Sequence, residues 1–263
     1  MLSALVLAPL ALALVIVGHW AFAGLVTLGL VLMALEWRGL IRARLGPRTS
    51  HIASFGALAV AAVALALTMA GQSREGLVLI AAGALLAAAI ARALGQSPLW
   101  PVLGIAYLGI PALALVWLRM LPEVGLILLI WLLLVVWMTD TAAYFTGRHF
   151  RGPLLAPRIS PSKTWSGLCG GMIGAGLVGM VTAAVWGSGR IIQAGGLGAG
   201  LAVVAQIGDF AESAMKRKAG VKDAGHLIPG HGGVLDRIDG LLFAAPALAL
   251  FCLIMGPKAW PWS

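Results

Sequence analysis

The chain has 263 residues, of which 61% are hydrophobic and only 10% charged, and its mean hydropathy is +1.00. A soluble domain is about 45–50% apolar and about 25% charged, so a water-soluble fold is excluded, and a disordered chain, which is poor in apolar residues, is excluded as well. Eighteen Lys and Arg against nine Asp and Glu give a formal charge of +9, and the two cysteines, Cys169 and Cys252, both lie in apolar runs, which rules out a disulfide scaffold and a Cys-based zinc site.

What remains is an all-α, polytopic integral membrane protein with about nine (eight to nine) transmembrane helices. A spanning helix takes about 20 mainly apolar residues. Residues 1–35 contain no Lys, Arg, Asp or Glu, and Gly18-His19 divides them into predicted helices over 2–17 and 20–35. Ala21-Phe22-Ala23 looks like a signal-peptidase site, but the basic segment that should precede it is missing. Further spans are predicted over 53–71, 77–94, 99–118, 124–143, 166–187, 191–212 and 238–257. Gly170, Gly171, Gly174 and Gly176 suit close helix–helix approach in lipid.

Nine spans place loops 36–52, 92–98, 144–165 and 213–237 on one side, with fourteen of the eighteen Lys and Arg. Cytoplasmic loops collect these residues, so that side is expected to face the cytoplasm. Orientation is the first explanation of the basic excess, which by itself names no ligand, and no nucleic acid partner is expected. Residues 36–50 mix Trp37, Leu40, Ile41 and Leu45 with four arginines, which fits either a short amphipathic helix at the anionic inner surface or a solvated basic loop. No stretch is long enough for a separate soluble domain. The expected division is 1–130, the N-terminal transmembrane helices, and 131–263, a catalytic transmembrane region with cytoplasmic loops 144–165 and 213–237. No repeat marks the inverted halves of a transporter.

Carboxylates within apolar spans are costly and therefore candidates for function; Asp140, Asp209 and Glu212 are of this kind. A carboxylate that snorkels to water or pairs with arginine is the plainer alternative. On a helix, Gln206, Asp209, Ser213 and Lys216 share one face. Hard oxygen donors beside a cation suit Mg²⁺ with phosphate oxygens. The loop beyond carries Lys216, Arg217, Lys218, Lys222 and Arg237 among Asp223, Asp236 and Asp239, with Gly230, Gly232 and Gly233 around His231. Arg clamps phosphate bidentately and Lys serves as a point charge, while the glycines let backbone approach a ligand. Together they describe a metal–phosphate site. Two histidines, His226 and His231, without cysteine partners are weak support for a transition metal, and a phosphate-donating or structural role suits His231 better. No P-loop motif is present. Upstream, Arg158, Ser160, Ser162, Lys163 and Thr164 form a dense set of phosphate donors; Ser162 or Thr164 is equally a candidate cap for the helix that follows.

The run Ser213-x-Met215-Lys216-Arg217-x-x-x-x-Lys222-Asp223-x-Gly225-x-x-Ile228-Pro229-x-His231-Gly232-Gly233-Val234-x-Asp236-Arg237-Ile238-Asp239 resembles the signature of the phosphatidate cytidylyltransferase (CDP-diacylglycerol synthase) family at every specified position. Asp140-Thr-Ala-Ala-Tyr144 and the segment around Ser160-Pro-Ser162-Lys163-Thr164-Trp165 also look like this family, with Ser162 where Asn is common. The similarity runs over roughly 140–240; residues 1–130 match mainly as hydrophobic spans.

The resemblance implies a Mg²⁺-dependent nucleotidyltransferase of phospholipid biosynthesis, making CDP-diacylglycerol and pyrophosphate from CTP and phosphatidate at the cytoplasmic face of the inner membrane. It implies Asp209 and Asp236 as the main metal ligands, with Asp140 and Asp239 as further candidates, and it leaves room for a second, monovalent cation and for a homodimer. Asp209, Asp236, Lys222, Asp223 and Arg237 are the expected catalytic set. Arg158, Ser162, Lys163, Ser213, Lys216, Arg217, His231, Gly232 and Gly233 are expected to bind substrate. The competing readings are a CTP-dependent enzyme on an isoprenoid lipid (CDP-archaeol synthase or polyprenol kinase) and, from another class, an anion transporter. The latter predicts charges at midspan, whereas here they gather at one face.

Overall fold

In a computed structural model of the protein, which describes residues 2–221, 223–225 and 232–256, the apolar runs are helices. They are α1 (Leu2–Val17), α2 (His19–Met69), α3 (Ser73–Ala93), α4 (Leu99–Met120), α5 (Gly125–Phe150), α6 (Trp165–Val185), α7 (Ile191–Ala219) and α8 (Leu235–Met255), with one antiparallel hairpin, β1 (Leu154–Ala156) and β2 (Ser160–Thr164). α2 is two helices joined at Gly46, whose φ of 73° no helix accommodates; Pro47 then opens the second piece with its φ already suited to a first helical turn. Among the described residues eight helical segments are long and apolar enough to cross a membrane, two of them from α2. The protein is an integral membrane protein. α1 has 16 residues, about 24 Å of helix against a hydrocarbon core of about 30 Å, and so falls short of an ordinary span.

Three loop expectations are corrected. Residues 36–45 are helix, continuous with the span before them. Leu30, Met33, Ala34, Trp37, Leu40 and Ile41 form a buried stripe at three- and four-residue spacing, the pattern of a helix face held against protein. Trp37 is fully buried, with ring centroids 6.0 Å from Trp100 and 5.9 Å from Tyr107. The four arginines suggested solvent or a lipid surface, yet the apolar face between them is occupied by α4. Residues 144–150 extend α5, and 154–164 form the hairpin. Residues 213–219 are the last turns of α7, and α8 begins at Leu235, so Asp236 and Asp239 sit at its start.

The chain forms two compact units, one of residues 1–129 with 215–238, the other of 130–214 with 239–263. In the first, α2 packs against α3 and α4. In the second, glycines set the helix spacing. A Cβ on Gly170 would enter the side chain of Thr146 on α5, and one on Gly174 would stand 2.7 Å from the Ala142 methyl. α7 and α8 meet in the same way, since a Cβ on Gly208 would lie 2.5 Å from the Asp239 carbonyl oxygen and 3.2 Å from Phe243. Backbone on both sides cannot yield cheaply. Gly208→Ala is therefore expected to lower stability by about 1–3 kcal/mol. Gly196→Ala on the same helix, with nothing within 4 Å, should leave it unchanged or raise it by up to about 1 kcal/mol. Thermal unfolding of the two variants in detergent compares them; equal midpoints would refute the close-packing account.

Candidate active site

Each unit holds a lysine–carboxylate pair at the end of an apolar helix. In the second unit, Asp209 of α7 receives the ammonium of Lys163 and, more weakly, the Gln206 amide at 3.4 Å. The hairpin delivers Lys163, which also lies 5.2 Å from the Phe210 ring centroid. The next residue, Thr164, caps α6 by accepting the Gly167 N–H at 3.1 Å. The capping and ligand-binding readings of this stretch thus fall on adjacent residues, Thr164 and Lys163.

Asp140 of α5 and Asp239 of α8 are both within electrostatic reach of Asp209 and Lys163, and Glu212 acts on Asp239. Gly240 matters here, because a Cβ at that position would stand 3.2 Å from Asp209 Oδ1. Three aspartates from three helices therefore share a neighbourhood with one ammonium. The pair is only part-exposed, at 23% for Lys163 and 13% for Asp209, so its charges are poorly screened.

In the first unit, Asp236 is the hub. Its Oδ1 accepts from Lys216 Nζ at 2.6 Å, and Oδ2 accepts the N–H groups of Gly233 at 3.0 Å and Ala224 at 3.3 Å. One carboxylate thus joins the last turns of α7 to the first turn of α8 and to the loop between them. Gly232 has a φ of 81°, a left-handed conformation that suits glycine. Arg158, Ser162, Arg217, Asp223 and Arg237 are exposed, and Ser213 is half-buried. Lys222 and His231 lie outside the described residues.

A residue that the sequence did not single out enters this cluster. Glu36 of α2 is 3% exposed and accepts the N–H groups of Val234 and Leu235, each at 2.8 Å. The signal was present: it is the first charged residue of the chain, set within the apolar stripe of α2.

The donors fit magnesium in kind. Asp209, Asp239 and Asp140 offer hard carboxylate oxygens, with Lys163 beside them for an anion. Among the described residues no group of three or more His, Cys, Asp or Glu side chains is arranged to enclose an ion. Mg²⁺ commonly takes one or two carboxylates, with water and substrate phosphates completing its shell, so a full protein cage is not required.

The class defined by these features is an integral membrane protein whose apolar helices carry lysine-paired carboxylates near their ends. The sequence model described as the cytidylyltransferase family matches residues 1–255, and the chain belongs to that family. It is 49% identical over 157 residues to the phosphatidate cytidylyltransferase of Brucella suis, an alignment covering 58% of this chain and 56% of the relative. The Haemophilus influenzae protein of that name is 42% identical over 135 residues, 49% of this chain and 47% of its own. That of Rickettsia prowazekii is 37% identical over 159 residues, 58% of this chain and 68% of its own. The matched stretch spans about half the length of the first two relatives.

Proposed function

We propose that the protein transfers the cytidylyl group of CTP to phosphatidate, forming CDP-diacylglycerol and pyrophosphate at the cytoplasmic face of the bacterial inner membrane. The observation that carries this reading is the pairing of Asp209 with Lys163 and of Asp236 with Lys216 on the segments that hold the family signature. The relatives of that name support the substrates, and the concentration of Lys and Arg on one set of loops supports the orientation.

An oxygen of the phosphatidate phosphate attacks the α-phosphorus of CTP, and the bond from that phosphorus to the α–β bridging oxygen breaks, releasing pyrophosphate. The attacking phosphate is already anionic near neutral pH, so no general base is needed. The difficulty is to bring two anions together and to stabilise the leaving group. Mg²⁺ would supply charge neutralisation there; its candidate ligands are Asp209, Asp140 and Asp239 in one unit and Asp236 in the other. Lys163 and Lys216 would give ammonium donors to phosphate oxygens, and Arg217, Lys222 and Arg237 would add further cations. The resemblance to the family signature assigns substrate contacts to Ser213, His231, Gly232 and Gly233, and likewise to Arg158 and Ser162.

Purified protein in detergent, given phosphatidate and CTP labelled on the α-phosphate, should move label into lipid with stoichiometric pyrophosphate release. EDTA should stop transfer, and excess Mg²⁺ should restore it. No label in lipid from a folded preparation with Mg²⁺ would overturn the reading.

A further inference from the structure

The cytoplasmic extension of α2 makes two contacts that the transfer chemistry does not itself call for. Glu36 receives the backbone N–H groups of Val234 and Leu235 where α8 begins. Two turns further along α2, Arg44 donates through Nε to the Lys218 carbonyl at 3.0 Å, where α7 is ending. An acid thus meets the start of one helix and a base the end of the other, each sign matching the partial charge of that terminus. Both satisfy backbone groups that a helix end leaves without intrahelical partners.

The glycines of the signature fit this arrangement. A Cβ on Gly225 would stand 2.7 Å from Glu36 Cγ, and one on Gly233 would stand 2.9 Å from Glu36 Oε2 and from Asp236 Oδ2. Backbone without side chains at these two positions is what lets a buried carboxylate seat itself beside Asp236. Substrate access, the usual reason for glycine in such a loop, is not needed to explain them.

We infer that Glu36, assisted by Arg44, is a positioning residue that braces both ends of the signature loop and thereby fixes the carboxylate of Asp236 and its partner Lys216. The inference rests on the reading of Asp236 as part of the cytidylyl-transfer site. Glu36 touches no reacting atom; it acts by holding the first turn of α8 in place. Because an acceptor is needed for two amides at once, Gln, with one oxygen, replaces it in part, and Ala does not replace it.

The test uses the full chain in detergent with three variants, Glu36→Ala, Glu36→Gln and Arg44→Ala. Hydrogen exchange is followed in the peptide covering 233–236, with the α4 peptide as internal reference. In Glu36→Ala, exchange at 233–236 should quicken by about tenfold with α4 unchanged, and the Mg²⁺ concentration for half-maximal transfer should rise by about the same factor. Glu36→Gln should fall between Ala and the parent, and Arg44→Ala should show a smaller shift in the same direction. A role confined to general stability would lower the unfolding temperature and leave the Mg²⁺ dependence unmoved, and that result overturns the inference. If Glu36→Ala does not fold, parental Mg²⁺ dependence and exchange in both remaining variants overturn it equally. A parent protein inactive on phosphatidate would sink the proposed function instead, while the exchange measurement would still report whether the brace exists.

Discussion

Asp236→Asn is expected to abolish cytidylyl transfer, by about a thousandfold or more, while the protein still inserts in the membrane. The reason lies in how its two oxygens are used. One accepts from Lys216 and the other from two backbone amides, those of Gly233 and Ala224. An asparagine amide has one acceptor and one donor end, so whichever way it turns, an N–H₂ group faces either an ammonium or an N–H. That mismatch costs about 1–3 kcal/mol and removes the charge needed for a divalent cation. Transfer assays at limiting and saturating Mg²⁺, alongside size-exclusion profiles in detergent, check the result. Near-parental activity at limiting Mg²⁺ would refute the metal assignment.

Lys163→Met should be the second severe variant, for an electrostatic reason. The ammonium of Lys163 is within reach of Asp209, Asp140 and Asp239, and methionine leaves their mutual repulsion uncompensated. Removing one partner from a buried pair costs about 3–5 kcal/mol; with each side chain still part-exposed, the expected loss here is about 2–3 kcal/mol. Transfer should fall by about a hundredfold or more, through loss of a phosphate donor. Adding Asp209→Asn to Lys163→Met relieves the repulsion, so the double variant should regain thermal stability and remain inactive. Recovery of activity with stability would overturn both the phosphate-donor role of Lys163 and the metal-ligand role of Asp209.

Much of this protein was legible in its sequence because membrane insertion and local chemistry are both local properties. A run of about 20 apolar residues must be a helix wherever it lies in lipid, since no water is available to satisfy its backbone. That requirement already fixed the all-α class and nearly every span, including the break at Gly18-His19, where Gly18 has a φ of 89°. The carboxylates and lysines of the site were equally visible, because an ionisable group at the edge of an apolar run stands out by its cost. The threonine cap of α6 followed from residue type and spacing, although Ser162 was as good a candidate.

What the sequence left open were the partners, since pairing across the chain has no local signature. Nothing in the spacing of Asp209 and Asp236 tells that one takes Lys163 from a hairpin and the other Lys216 from the preceding helix. Residues 36–50 read either as a short amphipathic helix at the lipid surface or as a solvated basic loop; that the stripe of Trp37, Leu40 and Ile41 is buried against protein, by Trp100 and Tyr107 of α4, only the fold shows. Glu36 passed unnoticed for the same reason. A lone glutamate among arginines looks like a surface charge until the fold brings the amides of Val234 and Leu235, nearly two hundred residues away, to within 2.8 Å of it. Sequence determined which groups this protein has to spend burial energy on, and only the tertiary structure decided which of them satisfy one another.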